Sequence, residues 1–391
     1  MFTVIIFLIV LAVLIFVHEL GHFLTAKSFG IRVDAFAVGF GPKLISWKRG
    51  ETVYSLRLIP FGGYVKIFGE NPDEESLSGP DSGRSIVNKS RWKQAIVLVA
   101  GITFNFIFAW LLYITIFTVG VTATTDGFEQ YANQFTNSRI MITQVLAGSP
   151  ADKANIKVGD IIVSVIPAKA GIQDQTLDSR PRSGRGQAFR GNDSAGSNDT
   201  VENIQQYINS KGGNTIGIRL IRNNESRNIN VIPIQGLVKD KYAIGIAMQY
   251  VADLKLPFFT AIYEGLHYTV IMIKDTAVGL YTFFANIFQG TANFSDVAGP
   301  IGIAGIIGNA AELGFTYLLM ITAVISINLG IINLIPFPAL DGGRILFVAI
   351  EGIIRRRIPE KFSNMVNTIG FTLLMALMIL VTYKDIAKLF K

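Results

Sequence analysis

Uncharged apolar runs and polar stretches alternate along this chain. The run Phe2–Val17 carries no charge, and three more (Ala95–Thr125, Leu313–Leu340 and Phe362–Tyr383) are longer. A bilayer needs about 20 apolar residues to be crossed by a helix. The last three runs meet that length, and the first does so if its helix continues through His18-Glu19-Leu20-Gly21-His22. The pattern predicts four transmembrane helices, at residues 1–30, 94–121, 313–343 and 362–383. The first has no basic segment ahead of it and no small-residue cleavage site, so it is expected to stay in place rather than act as a removed signal peptide.

The intervening segments differ in character. Residues 31–93 alternate aromatic and β-branched positions between glycines, as in Val38-Gly39-Phe40-Gly41-Pro42 and Phe61-Gly62-Gly63-Tyr64-Val65-Lys66. This predicts short strands, in a hairpin loop that dips back toward the membrane. Asn71–Ser90, rich in Ser, Gly and acidic residues, is expected to be exposed and flexible. Residues 138–234 read as a compact α+β module, with strands around Ile140–Val145, Val158–Val165, Ile216–Ile221 and Ile229–Ile232. Its helix is capped by Asp199/Thr200 and has the apolar face Val201, Ile204, Ile208. Residues 167–197 interrupt it with aperiodic Gly, Ser, Arg and Pro and are expected to form a surface insertion. Residues 256–294, with Glu264, His267, Lys274 and Asp275 in their first part, are expected to be amphipathic helix on the outer face.

The net charge of +7 is a matter of topology. Eleven Lys/Arg fall between Lys27 and Lys93, and Arg355-Arg356-Arg357 lies between the last two predicted spans. By the positive-inside rule both segments face the cytoplasm, which puts residues 121–312 and both termini outside. A nucleic-acid partner is not expected. With no cysteine and only three histidines (His18, His22, His267), a metal site must use imidazoles and carboxylates.

On a helix, His18 and His22 leave the same face, four residues apart, within reach of one metal ion. Glu19 lies beside them, where a metalloprotease places its proton acceptor. Ionisable groups at membrane depth cost roughly 2.5–3.5 kcal/mol each on insertion scales, so this cluster implies a task. The third ligand is Asp341 or His267. His267 belongs to the outer segment. Asp341 follows Pro336 and Pro338, which cannot continue a regular helix, and lies at the inner end of a span that runs inward. Asp341 therefore reaches the depth of the histidines and completes a His/His/Asp zinc set.

Two resemblances follow from these motifs. The string GSPADKANIKVGDIIVSV at 148–165 resembles a PDZ domain of the type associated with bacterial proteases. HELGH at 18–22, GFGP at 39–42, FGGYVK at 61–66, GITFNF at 101–106, GPIGIA at 299–304 and NLGIINLIPFPALDGG at 328–343 together resemble the site-2 protease family of intramembrane zinc metalloproteases, in its bacterial RseP-like branch. That resemblance implies a multi-pass α-helical membrane protein with four transmembrane helices, a membrane-associated β-hairpin loop and one α+β PDZ domain. It implies zinc on His18, His22 and Asp341, with Glu19 as general base. It also implies that Asn333 and Pro336 contact an unwound substrate helix, and that the loop with Gly62 and Gly63 offers an edge to extended substrate.

The implied activity is cleavage within the transmembrane segments of single-span proteins in the bacterial cell inner membrane. Anti-sigma factors already trimmed by another protease are the expected substrates, with remnant signal peptides as a further class. The PDZ domain would be periplasmic and the active site toward the cytoplasm. Better-known relatives carry two tandem PDZ modules, whereas only one fits here between residues 121 and 256. Two other readings remain: a catalytically inactive, membrane-anchored PDZ scaffold that binds transmembrane helices, and a transporter, for which no inverted repeat is visible.

Overall fold

A computed structural model describes residues 2–71, 73–124, 129–167, 200–222, 225–291 and 298–389. The chain divides into two compact units, Met1–Val119 with Pro257–Lys391, and Gly120–Leu256.

The first unit begins with α1 (Phe2–Ser28), whose 27 residues extend about 40 Å at 1.5 Å per residue. It leads into β1 (Val33–Arg49) and β2 (Thr52–Ile67), an antiparallel pair that folds back on itself. Ala35–Val38 is flanked by Gly63–Lys66 on one side and by Val53–Leu56 on the other. The base of this hairpin is buried through Val33, Phe36, Val65 and Ile67, which pack with Ala26 and Val97. Its far end leaves Leu44, Ile45, Trp47 and Leu58 exposed.

The segment after the hairpin corrects the expectation of a flexible stretch at Asn71–Ser90. It contains the short helix α2 (Glu74–Ser78), capped by Asp73, followed by two 3-10 turns with Ser85 and Ile86 buried. Arg32 reaches both Asp34 (2.9 Å) and Asp81 (2.8 Å), while the Asn88 amide donates to the carbonyls of Ser76, Leu77 and Ser82. Polar composition suggested solvent exposure, but Arg32 bonds the segment back onto the protein through Asp81, and Asn88 ties its turns to one another. Next comes α3 (Arg91–Val119), a 29-residue helix with Asn105 and Ala109 fully buried.

The second unit contains β3 (Val121–Thr124), β4 (Phe135–Val145), α4 (Pro150–Lys153), β5 (Ile161–Pro167), α5 (Val201–Ser210), β6 (Ile216–Arg222), β7 (Glu225–Val231), β8 (Ile234–Val238), β9 (Lys241–Ala243) and β10 (Ile246–Leu254). Six of these strands form one antiparallel sheet in the order β3-β10-β4-β5-β6-β7. Ile142, Ile216, Ile218 and Leu220 pack beneath Ile204 and Ile208 of α5, whose N-cap is Thr200. The predicted strands and helix are all present, but the boundaries 138–234 were too narrow. β10 pairs with both β3 and β4 and joins the sheet from beyond the expected end. The insertion expected at residues 167–197 lies, apart from Pro167, outside the described residues.

The first unit resumes with α6 (Phe258–Phe288), α7 (Pro300–Leu313), α8 (Phe315–Leu334), α9 (Asp341–Ile354) and α10 (Glu360–Leu389). Among the described residues five helices (α1, α3, α6, α8 and the greater part of α10) are long and apolar enough to cross a membrane, so length and composition return one more than the four expected spans. The fifth is α6, a single 31-residue helix where amphipathic outer helices were expected. Its buried residues lie in its first turns. Ala261, Glu264, Gly265 and Thr269 are buried, the Trp110 Nε1–H of α3 donates to Ile262 O at 3.0 Å, and the Tyr113 and Tyr268 rings meet edge to face.

Candidate metal centre

His18 and His22 leave α1 on the face that meets α3, as their spacing requires. Asp341 is the first residue of α9, and the described chain brings it to them. Its Oδ2 lies 3.1 Å from His18 Nε2 and 3.3 Å from His22 Nε2, and the two Nε2 atoms are 3.3 Å apart. One donor atom from each residue falls within a 4.8 Å cluster. His22 Nδ1–H donates to Val97 O at 2.8 Å, which turns the lone pair of His22 Nε2 toward the cluster. Asp341 Oδ2 is buried and no hydrogen bond of good geometry reaches it. Lone pairs converging this closely repel unless a cation stands among them, so the donor set fits a divalent metal of the zinc type.

The break before α9 sets the position of Asp341. α8 ends at Leu334, and Ala339 takes a left-handed φ of 73°, rare for a residue with a side chain. The Ala339 N–H points to Asn367 Oδ1 of α10 at 3.4 Å. Gly342 lies so close to Leu334 O and Ile335 O that any side chain there would push the first turn of α9 away. Pro336 and Pro338 explain why the helix stops, and Gly342 explains how it restarts close by.

A cavity of about 580 Å³ opens on the cluster. His18, Glu19, His22 and Asp341 line it together with Tyr64 and Val65 of β2. Gly63 packs against the Glu19 side chain, where an added methyl would stand 3.4 Å from Glu19 Cγ, and Gly62 lies under the Phe40 ring. Asn333, half-buried near the end of α8, and Pro336, exposed in the break, do not line this cavity. His267 is not in the cluster; its Nδ1 lies 3.4 Å from Glu264 Oε2 on α6.

Sequence reasoning missed several of the lining residues. Arg344, one turn beyond Asp341, forms an ion pair with Glu70 at the exit of β2, and both line the cavity. Asn364, Asn367 and Thr368 of α10 complete the wall. Their spacing makes one polar stripe on a predicted span, a signal that was available in the sequence. Asn105 belongs to the GITFNF motif and carries no role of its own in the sequence pattern, yet its side-chain amide lies 3.1 Å from His18 Nδ1.

Two histidines, a carboxylate and a further glutamate outside the donor cluster, set among helices apolar enough to span a bilayer, are the parts of a metallohydrolase built into a membrane. The chain belongs to peptidase family M50, the site-2 protease family, whose profile matches residues 6–377. It is 32% identical to the zinc metalloprotease RasP of Geobacillus kaustophilus, across 99% of this chain and 98% of that protein. A second RasP, from Oceanobacillus iheyensis, is 30% identical over the whole of both chains. A Clostridium perfringens protein provisionally named a zinc metalloprotease is 34% identical over 97% of each chain. The chain is therefore a membrane zinc metalloprotease.

Proposed function

We propose that His18, His22 and Asp341 hold the zinc ion and that Glu19 is the general base for hydrolysis of peptide bonds inside membrane-spanning segments. The convergence of the three donor atoms beside Glu19, in one cavity among apolar helices, carries this reading. Bound there, zinc would acidify a water molecule and polarise the scissile carbonyl. Glu19 accepts the proton of the attacking water and delivers it to the leaving amine, a role that needs an unligated carboxylate beside the metal. His22 Nδ1 and Asp341 Oδ2 are fixed by the backbone of Val97 and by the break at Pro336–Leu340, so the donors are oriented before substrate arrives.

The substrates we propose are single-span membrane proteins, foremost anti-sigma factors already trimmed by another protease, and also remnant signal peptides. A helix hides its carbonyls in its own hydrogen bonds, so it must unwind to be cut. Gly63–Ile67 of β2 pairs with β1 on one side, and no strand covers its other side among the described residues. This edge, with Gly63 beside Glu19 and Gly62 next to it in the strand, suits addition of an extended substrate as a further strand. Asn333 and Pro336, at the opened end of α8, are proposed to hold the unwound segment. The unit Gly120–Leu256 is proposed as a PDZ domain on the periplasmic side of the inner membrane that admits only substrates with a trimmed outer domain.

The test is membrane proteomics of cells carrying the wild-type chain or Glu19→Gln. Trimmed single-span proteins should accumulate in the mutant. An unchanged membrane proteome would overturn the proposed substrate class.

A further inference from the structure

The GITFNF segment at 101–106 plays no part in the chemistry above, yet it lies against both imidazoles. α3 presents one stripe to them: Val97, Gly101 and Asn105, spaced four residues apart so that they share a face. Val97 O accepts from His22 Nδ1–H at 2.8 Å. At Gly101 a methyl would collide with His22 Nε2 and stand 2.9 Å from His18 Cε1, so the rings reach their position only because α3 has no side chain there. Asn105 is fully buried, with its amide 3.1 Å from His18 Nδ1 and its Oδ1 without a hydrogen-bond partner.

The inference rests on the zinc reading proposed above. An imidazole that ligates through Nε2 carries its proton on Nδ1, so the atom opposite Nδ1 must accept a hydrogen bond. A half-turn of the Asn105 amide exchanges its oxygen and nitrogen within the same shape. The oxygen then meets the Nδ1 proton and finds the partner it otherwise lacks. We infer that Asn105 is a positioning residue for the metal centre: its amide oxygen accepts the His18 Nδ1 proton, as Val97 O accepts that of His22.

One helix thus sets the tautomer and the rotation of both histidine ligands. The same residue is tied to the third. Ser326 of α8 donates through Oγ to Asn105 O at 2.8 Å, and α8 leads on to Asp341. That bond uses the Asn105 backbone, so replacing the side chain leaves it in place.

Zinc affinity of the detergent-purified full chain, measured by chelator competition, tests this together with the visible spectrum of the cobalt-substituted protein. Loss of an outer partner of a metal-bound histidine typically weakens metal binding 10–100-fold. Asn105→Leu, similar in shape but without an acceptor, should fall by that factor and shift the cobalt bands. Asn105→Asp restores an acceptor, and should keep zinc affinity within about threefold and leave the bands unmoved. Wild-type affinity and spectrum in Asn105→Leu would overturn the inference. So would a tenfold or greater loss in a folded Asn105→Asp, which decides the matter even if the Leu variant does not fold. A wild-type chain without zinc would instead sink the metal centre itself, and this inference with it.

Discussion

Asp341 Oδ2 and His18 Nε2 stand 3.1 Å apart, although they come from opposite ends of the chain. α8 must run alongside α3, stop at the proline pair and release a new helix beside α1 for the two to meet. The contact therefore reports the packing of four helices and one break, and most of the predictions below follow from it.

Purified wild-type chain should carry one zinc per molecule, and His22→Ala should carry none under the same conditions. His267→Ala should retain its metal, because His267 is half-exposed and pairs with Glu264 away from the cluster. Elemental analysis of the three proteins distinguishes these outcomes; full zinc in His22→Ala would remove the ligand assignment.

Glu19→Gln should keep zinc and fold but lose cleavage by several orders of magnitude, since the amide cannot accept the proton. Single-turnover assays in detergent on a model transmembrane substrate provide the measure. Cleavage within about tenfold of wild type would mean that another group is the base.

Gly101→Ala should weaken zinc binding by at least about tenfold while leaving α3 as stable or more so. Alanine favours a helix by roughly 0.5–1 kcal/mol over glycine, so loss of metal without loss of helix isolates the collision with the two imidazoles. Circular dichroism and chelator competition on the same sample separate the two effects.

In the unit Gly120–Leu256, Asp253 accepts two bonds from Arg139 (2.9 and 3.1 Å), one from Thr122 (2.8 Å) and one from Asn137 (3.1 Å). Burial alone would raise its pKa, but these bonds outweigh it and hold the carboxyl below its ordinary value. A depressed folded-state pKa stabilises above the unfolded value of about 3.9, and that stability is lost as pH falls through the folded value. Urea midpoints of this unit, expressed alone, should therefore drop on acidification below about pH 4, and Asp253→Asn should flatten that drop. An equal acid response in both would remove the role given to Asp253.

Single cysteines at Ser210 and Gln289 should react with an impermeant thiol reagent from outside, and those at Ser78 and Arg356 only after lysis. All four positions are exposed, and the chain has no cysteine to interfere. The buried residues of α6 fall between 261 and 269, and Trp110, Tyr113 and Phe117 near the C-terminal end of α3 meet that part, as expected of a helix that starts at the outer face. Protection of Gln289 until lysis would instead mean that α6 crosses the bilayer.

Local order along the chain determined much of this protein. The uncharged runs gave α1, α3, α8 and α10. Alternation between glycines gave the β1–β2 hairpin, and the four-residue spacing of His18 and His22 put two imidazoles on one face. Pro336 and Pro338 marked the end of α8. All of these depend on residues within a few positions of one another, where backbone sterics and periodicity act. What joins distant segments was decided by tertiary structure. β10 enters the middle of a sheet because its neighbours β3 and β4 offer open backbone groups. Asp73–Asn88 is ordered because Arg32 holds Asp81 from outside it and Asn88 cross-links its turns, although its composition reads as solvent-exposed. Arg344 and Glu70 meet at the cavity, and Asn105 reaches His18, only because α9 and α3 pack where they do. Hydrogen bonds and close contacts between remote residues leave no period in the sequence, so the candidate ligands His18, His22 and Asp341 could be picked out in the chain, while the groups packed around them required the fold.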